Sequence, residues 1–107
     1  MSYRLAITTC PNAEVADSIA SALVEERLAA CVNILPGAQS IYEWQGRLHK
    51  DQELVLLIKT RSDKLNALET RLLELHPYEL PELIAVSVTE GLAPYLSWIE
   101  TQLDKNK

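Results

Sequence analysis

Hydrophobic and polar positions change their period along this chain in a way that separates six elements and a terminal addition. Over residues 3–9, YRLAITT, the side chains of Tyr3, Leu5 and Ile7 recur at every second position, the pattern of a strand with one buried face. Pro11 stops it. Asn12 is suited to cap a helix, Glu14 and Asp17 suit the positive end of its dipole, and Val15, Ile19, Ala22 and Leu23 follow at helical spacing. That helix is predicted to run to about Ala29. The next segment, CVNILPGAQSIYEWQG, is extended, and Pro36 and Gly37 inside it mark a bulge or an edge. Gly46 lies in a turn, and ELVLLIKT returns as a second arm, making a hairpin long enough to project from a small domain. Ser62 is expected to cap a second helix, whose apolar stripe is Leu65, Leu68, Leu72 and Leu75 and which Pro77 ends. LIAVSVT, residues 83–89, alternates Ile84, Val86 and Val88 as a fourth strand. Gly91 then leads to a short third helix with Pro94 near its start and Leu96, Ile99 and Leu103 facing inward. The last residues, DKNK, are expected to fray.

The order strand, helix, strand, strand, helix, strand, plus a C-terminal helix, predicts an α+β fold of the ferredoxin-like, split β-α-β type, with helices on one face of an antiparallel sheet. Leu54 to Ile58 is an unbroken apolar run, so that strand needs cover on both faces. One face would lie under the helices. For the other the chain offers only its short last helix, so a further copy of the chain is the natural cover, and an obligate oligomer is predicted. Tyr42 and Trp44 in the hairpin point the same way, since aromatic residues and open strand edges are costly to leave in water. The alternative is that both rings pack within their own hairpin.

Composition narrows the classes of function. At 107 residues and 48% hydrophobic, the chain can bury one core and forms one domain over residues 1–107. It has no eighteen-residue apolar run and no secretory leader pattern, so neither a membrane span nor export is expected, and a cytoplasmic location is. Fifteen acidic against ten basic residues, with no Lys/Arg stripe, disfavour a nucleic-acid partner. Two cysteines 21 positions apart support neither a disulfide framework nor a zinc ribbon. With three glycines and no G-x-S-x-G, phosphate loop or H-E-x-x-H, an enzyme is the least favoured class.

Four segments, LAACVNILPGAQSIYEWQG, LIKT, HPYELPE and YLSWI, resemble the signature segments of the CutA family, the divalent-cation tolerance proteins, in that family's order and over essentially the whole chain. The resemblance implies a cytosolic homotrimer of ferredoxin-like subunits, joined through the long second and third strands and similar in architecture to PII signalling proteins. It also implies copper tolerance and copper binding, at a proposed site made of a cysteine near the end of the first strand and two adjacent histidines. Here Thr8 stands at the cysteine position with Cys10 two residues later, and of the histidine pair His76 is kept while Leu75 replaces its neighbour. His76 and Cys10 are therefore the candidate metal ligands, for copper or another divalent cation. Pro77 also offers His76 a structural role, closing the helix and covering its last carbonyls.

Trp44, Lys59 and Tyr78 in the family-like segments, with Glu53 at the start of ELVLLIKT, are the candidates for a ligand cleft, in which an aromatic wall with one acid and one base would suit a small polar ligand. Glu53 and Lys59 read equally as solvated charges at strand ends. Two functions follow from different classes: a metal-responsive or metal-binding protein, and a PII-like module that senses a small molecule or binds a partner through clefts between subunits.

Overall fold

The computed structural model describes residues 2–105, and its elements follow the predicted order: β1 (Tyr3–Cys10), α1 (Ala13–Glu25), β2 (Cys31–Trp44), β3 (Arg47–Arg61), α2 (Leu65–Leu75), β4 (Ile84–Val88) and α3 (Ala93–Asp104). Residues 106 and 107, where fraying is expected, lie outside the described residues. The strands form one antiparallel sheet in the order β2-β3-β1-β4, the arrangement of a ferredoxin-like unit. At about 3.3 Å per residue, the 14 and 15 residues of β2 and β3 make arms of roughly 45–50 Å. They account for the 45 Å long axis of the chain.

Local chemistry explains the boundaries. The Asn12 side chain accepts a hydrogen bond from the Val15 N–H at 2.9 Å and so caps α1. The helix ends at Glu25, earlier than expected, because Arg27 turns left-handed (φ 60°) and the N–H groups of Leu28 and Ala29 return to the Leu23 carbonyl. No glycine marks that stop, which is why periodicity alone overran it. At the predicted kink, the register of β2 against β3 shifts between Leu35 and Ala38, with Gly37 at φ 90°. Gln45 and Gly46, both at positive φ, close the hairpin as a two-residue turn. Ser62 does not cap α2. It begins a 3-10 turn, Ser62–Lys64, and no side chain bonds the first N–H groups of α2.

The two faces of the sheet differ. Ala6, Thr8 and Cys10 of β1 and Leu56 and Ile58 of β3 lie fully buried with Ile19 and Leu23 of α1 and Leu68 and Leu72 of α2. This corrects the expectation for β1. Tyr3, Leu5 and Ile7 share the opposite face, and the smaller residues meet the helices. Cross-strand pairing continues that second face through Leu35 of β2, Val55 and Leu57 of β3, and Ile84, Val86 and Val88 of β4. There α3 covers only the end near Tyr3, where Ile99 and Leu103 pack and Arg61 bonds Asp104 at 2.8 Å. Leu35, Ile84 and Val86 stay 44%, 56% and 50% exposed. The β3 run therefore does have two apolar sides, and this chain shelters one of them.

Candidate functional site

β4 pairs with β1 only over Tyr3 to Ile7, so the edge of β1 from Thr8 to Cys10 is left without a strand neighbour. The segment between α2 and β4 runs beside it. Pro77 holds His76 extended (φ −82°, ψ 135°), and His76 turns its ring toward β1, where Nε2 lies 2.7 Å from the Thr9 carbonyl. Its Nδ1 accepts the Tyr78 N–H at 3.2 Å, so the proton of the neutral ring sits on Nε2 and is donated to Thr9. Thr8, fully buried, donates its hydroxyl to the Glu82 carbonyl at 2.6 Å. The knot His76–Glu82 is thus tied to β1 at both ends.

These ties place Tyr78 over the foot of the hairpin. Its hydroxyl donates to Glu53 Oε2 at 2.7 Å, and Glu53 is left 6% exposed. Burial, then the bonded Glu53 carboxylate, raises the Tyr78 phenol well above its ordinary range and keeps it a neutral donor. Further out, the Tyr42 hydroxyl donates to Asp51 at 2.5 Å and its ring stacks on His49. The hydrogen bond to Asp51 raises the Tyr42 phenol as well. Between them opens a cavity of about 550 Å³, whose lining includes Thr9, Tyr42, Trp44, Asp51, Glu53 and Tyr78, together with Glu79 and Glu82. Thr9 pairs with Val55, and Asp51, Glu53 and Val55 alternate along β3, so the cavity opens on the sheet face that the helices leave bare.

Three of the four predicted cleft residues, Trp44, Glu53 and Tyr78, meet at this cavity. Lys59 does not. Six residues along β3 from Glu53, or roughly 20 Å, it donates to Asn33 and lies 3.9 Å from the Cys31 sulfur. The base expected opposite Glu53 is absent from the lining, and Asp51, Glu79 and Glu82 stand there instead. Asp51 was legible from the alternation of β3, two positions from Glu53. Glu79 and Glu82 stand in HPYELPE beside Tyr78, but a loop has no period from which the direction they face could be extrapolated.

The candidate metal ligands are otherwise engaged. Both His76 ring nitrogens carry protein hydrogen bonds, and the ring does not cover the carbonyls at the end of α2. Only the His76 backbone N–H does that, bonding the Leu72 carbonyl at 2.9 Å. Cys10 is fully buried, and burial followed by the charge of Glu53 pushes its thiol up to about 11, away from the thiolate a metal needs. Among the described residues no group of three or more His, Cys, Asp or Glu side chains converges closely enough to hold a metal ion.

Residues 4–102 match the family model described as CutA1 divalent ion tolerance protein. The divalent-cation tolerance protein CutA of Thermus thermophilus is 54% identical over 93 residues, covering 87% of this chain and 90% of that protein. The human protein CutA is 49% identical over 98 residues, covering 92% of this chain and 55% of its own length, so the chain spans about half of that relative. A crystal structure of CutA from Xylella fastidiosa superposes with a TM-score of 0.94 at 53% identity, covering 97% of this chain and all of the other. A match over nearly the whole chain, with the sheet order and hairpin already described, places this protein in the CutA1 divalent ion tolerance family.

Proposed function

We propose that the protein acts in the response to divalent metal ions as a cytoplasmic homotrimer, with its ligand clefts where subunits adjoin the hairpin foot. The observation that carries the oligomer is the bare sheet face. Leu35, Ile84 and Val86 sit half exposed beside Leu5, Ile7, Val55 and Leu57, a continuous apolar surface of the kind that marks an interface. A second copy of the same surface covers it with matching chemistry. The number three and the likeness to PII proteins come from the family resemblance. Two unpaired cysteines, Cys10 and Cys31, suit a reducing compartment.

A divalent cation is the ligand that the family's description suggests, copper being what the family resemblance implies, and His76 with Cys10, the positions that resemblance points to, is the pair to test first. Calorimetric titration with copper and zinc ions decides the point. Tight binding lost in both His76→Gln and Cys10→Ser puts the metal at that pair. Tight binding retained in both takes the metal away from that pair, and absence of binding removes direct metal contact from the proposal. The second reading, a PII-like sensor of a small molecule, is favoured by the cavity that joins Trp44, Glu53 and Tyr78. Quenching or protection of Trp44 fluorescence across a metabolite panel tests it. Light scattering on a size-exclusion column tests the assembly, and a stable monomer at low micromolar concentration overturns it.

A further inference from the structure

We propose that the cavity at the hairpin foot takes an organic polycation, a short aliphatic di- or polyamine, in preference to a bare metal ion or an anion. The inference rests on the reading that this cavity holds a ligand and names its chemistry. The central observation is Glu53. It is 94% removed from solvent, yet only Oε2 receives a protein hydrogen bond, from Tyr78, and among the described residues no Lys, Arg or His lies within ion-pair distance of it. Among these residues Oε1 has no protein partner and is not sealed from solvent, so the free side of this carboxylate faces the cavity and is open to a cation there. A cationic ligand supplies the missing partner.

The surroundings select the kind of cation. Asp51 stands two positions along the same strand face, about 7 Å away, and Glu79 and Glu82 extend the negative lining. Charges spread over such a distance match nitrogens separated by a short alkyl run better than one compact ion. The walls are Tyr42, Trp44 and Tyr78, whose ring faces attract ammonium groups and pack against methylenes. A metal ion would require three or more donors converging within bonding distance, which the described residues do not provide. An anion would meet four carboxylates and no base, Lys59 being elsewhere. The volume, about 550 Å³, is that of a site for a small organic molecule.

The test is calorimetry on the full chain with 1,4-diaminobutane and spermidine as probes, and 1,4-butanediol, zinc ions and inorganic phosphate as comparisons. Trp44 fluorescence is followed in parallel. Saturable binding of the amines, weakened at least tenfold in Glu53→Gln and little changed in Glu69→Gln, is expected. Glu69 is exposed on α2 and away from the cavity, so that variant removes the same charge without touching the site. Glu79→Gln, at an exposed position, is a second cavity variant should Glu53→Gln fail to fold. Equal weakening in the Glu53 and Glu69 variants reduces the effect to overall charge and overturns the proposal. So does zinc or phosphate binding at the Trp44 site without the amines, or no amine binding up to millimolar concentration. Oligomer mass from light scattering is recorded on every sample, and it stays at the wild-type value when only the ligand assignment fails.

Discussion

Placing a charge on the bare sheet face separates a self-assembling protein from a solitary one. Val86 lies midway along β4, the outer strand of that face, opposite Leu5 on β1. It is half exposed in the single chain, so Val86→Asp costs an isolated protomer little, roughly 1 kcal/mol through lost strand preference. An assembled protein responds differently. Fully burying an aliphatic side chain contributes about 1.5–3 kcal/mol, so covering the exposed halves of Leu35, Ile84 and Val86 contributes roughly 2–4 kcal/mol per protomer. The substitution forfeits the Val86 share of this and seats an uncompensated carboxylate in the interface, a penalty of about 3–5 kcal/mol per protomer. Association should weaken by two to nearly four decades per protomer. Size-exclusion chromatography with light scattering at low micromolar concentration should give three times the 12.0 kDa chain mass for the wild type and a single chain mass for Val86→Asp. Far-ultraviolet circular dichroism should show both folded. A wild-type protein running at 12.0 kDa refutes the reasoning, as does a Val86→Asp protein that keeps the wild-type mass.

Other perturbations examine the ties around the cavity. His76→Ala removes the bonds to Thr9 and Tyr78 and opens a small void, so stability should fall by about 2–4 kcal/mol in denaturant titration, and Trp44 emission should shift as Tyr78, across the same cavity, loses its tie. Cys10, buried with its thiol pushed up to about 11, should resist alkylation at pH 8 in the native protein, while half-buried Cys31 reacts first; mass spectrometry of a timed iodoacetamide reaction reads the order. Arg61 holds the Asp63 and Asp104 carboxyls below their usual range, so their contribution is present above the unfolded carboxylate value near 4 and is lost as pH falls through the lower folded values. Melting temperature against pH should therefore drop more steeply below pH 4 in the wild type than in Arg61→Gln, whose α3 is already less firmly held. Gly46→Val, which forces a branched residue into φ 78° at the hairpin turn, should cost about 1–2 kcal/mol.

Periodicity carried most of the fold because the elements are long and their apolar stripes regular. Leu68 and Leu72 lie where helical spacing puts them, and Leu56 and Ile58 where a two-sided strand does. It failed where two patterns overlap. In β1 the alternation of Tyr3, Leu5 and Ile7 was real, but Ala6, Thr8 and Cys10 formed a second apolar face. Size alone does not say which set meets the helices. Small side chains on that side let α1 and α2 approach the sheet closely, so the larger set faces outward. The Arg27 stop was hidden for a different reason, since left-handed backbone at an arginine leaves no mark in composition. At the cavity, Trp44 and Tyr78 were readable from the family-like segments and Glu53 from the strand that leads into LIKT, whereas Lys59, itself in LIKT, lies six residues and roughly 20 Å along β3 from Glu53, a separation that a resemblance of segments does not weigh.

The bare face and the acidic cavity belong to one surface, and this links assembly to binding. Val55 sits two positions from Glu53 on β3, so whatever covers Val55 and Leu57 also comes to the rim of the cavity. In the proposed trimer a neighbouring subunit would shield the Glu53 charge further from water and strengthen its demand for a cation. A bound polycation would in turn remove the repulsion among Asp51, Glu53, Glu79 and Glu82 that opposes drawing a second subunit across them. Ligand and assembly then stabilise each other by the same amount, as linkage requires. The dilution at which the wild-type mass begins to fall should therefore move to lower protein concentration when spermidine is present, and Glu53→Gln, which lacks the charge to be neutralised, should show a smaller displacement. A dissociation midpoint indifferent to spermidine, in a protein that binds it, would separate the cavity from the interface.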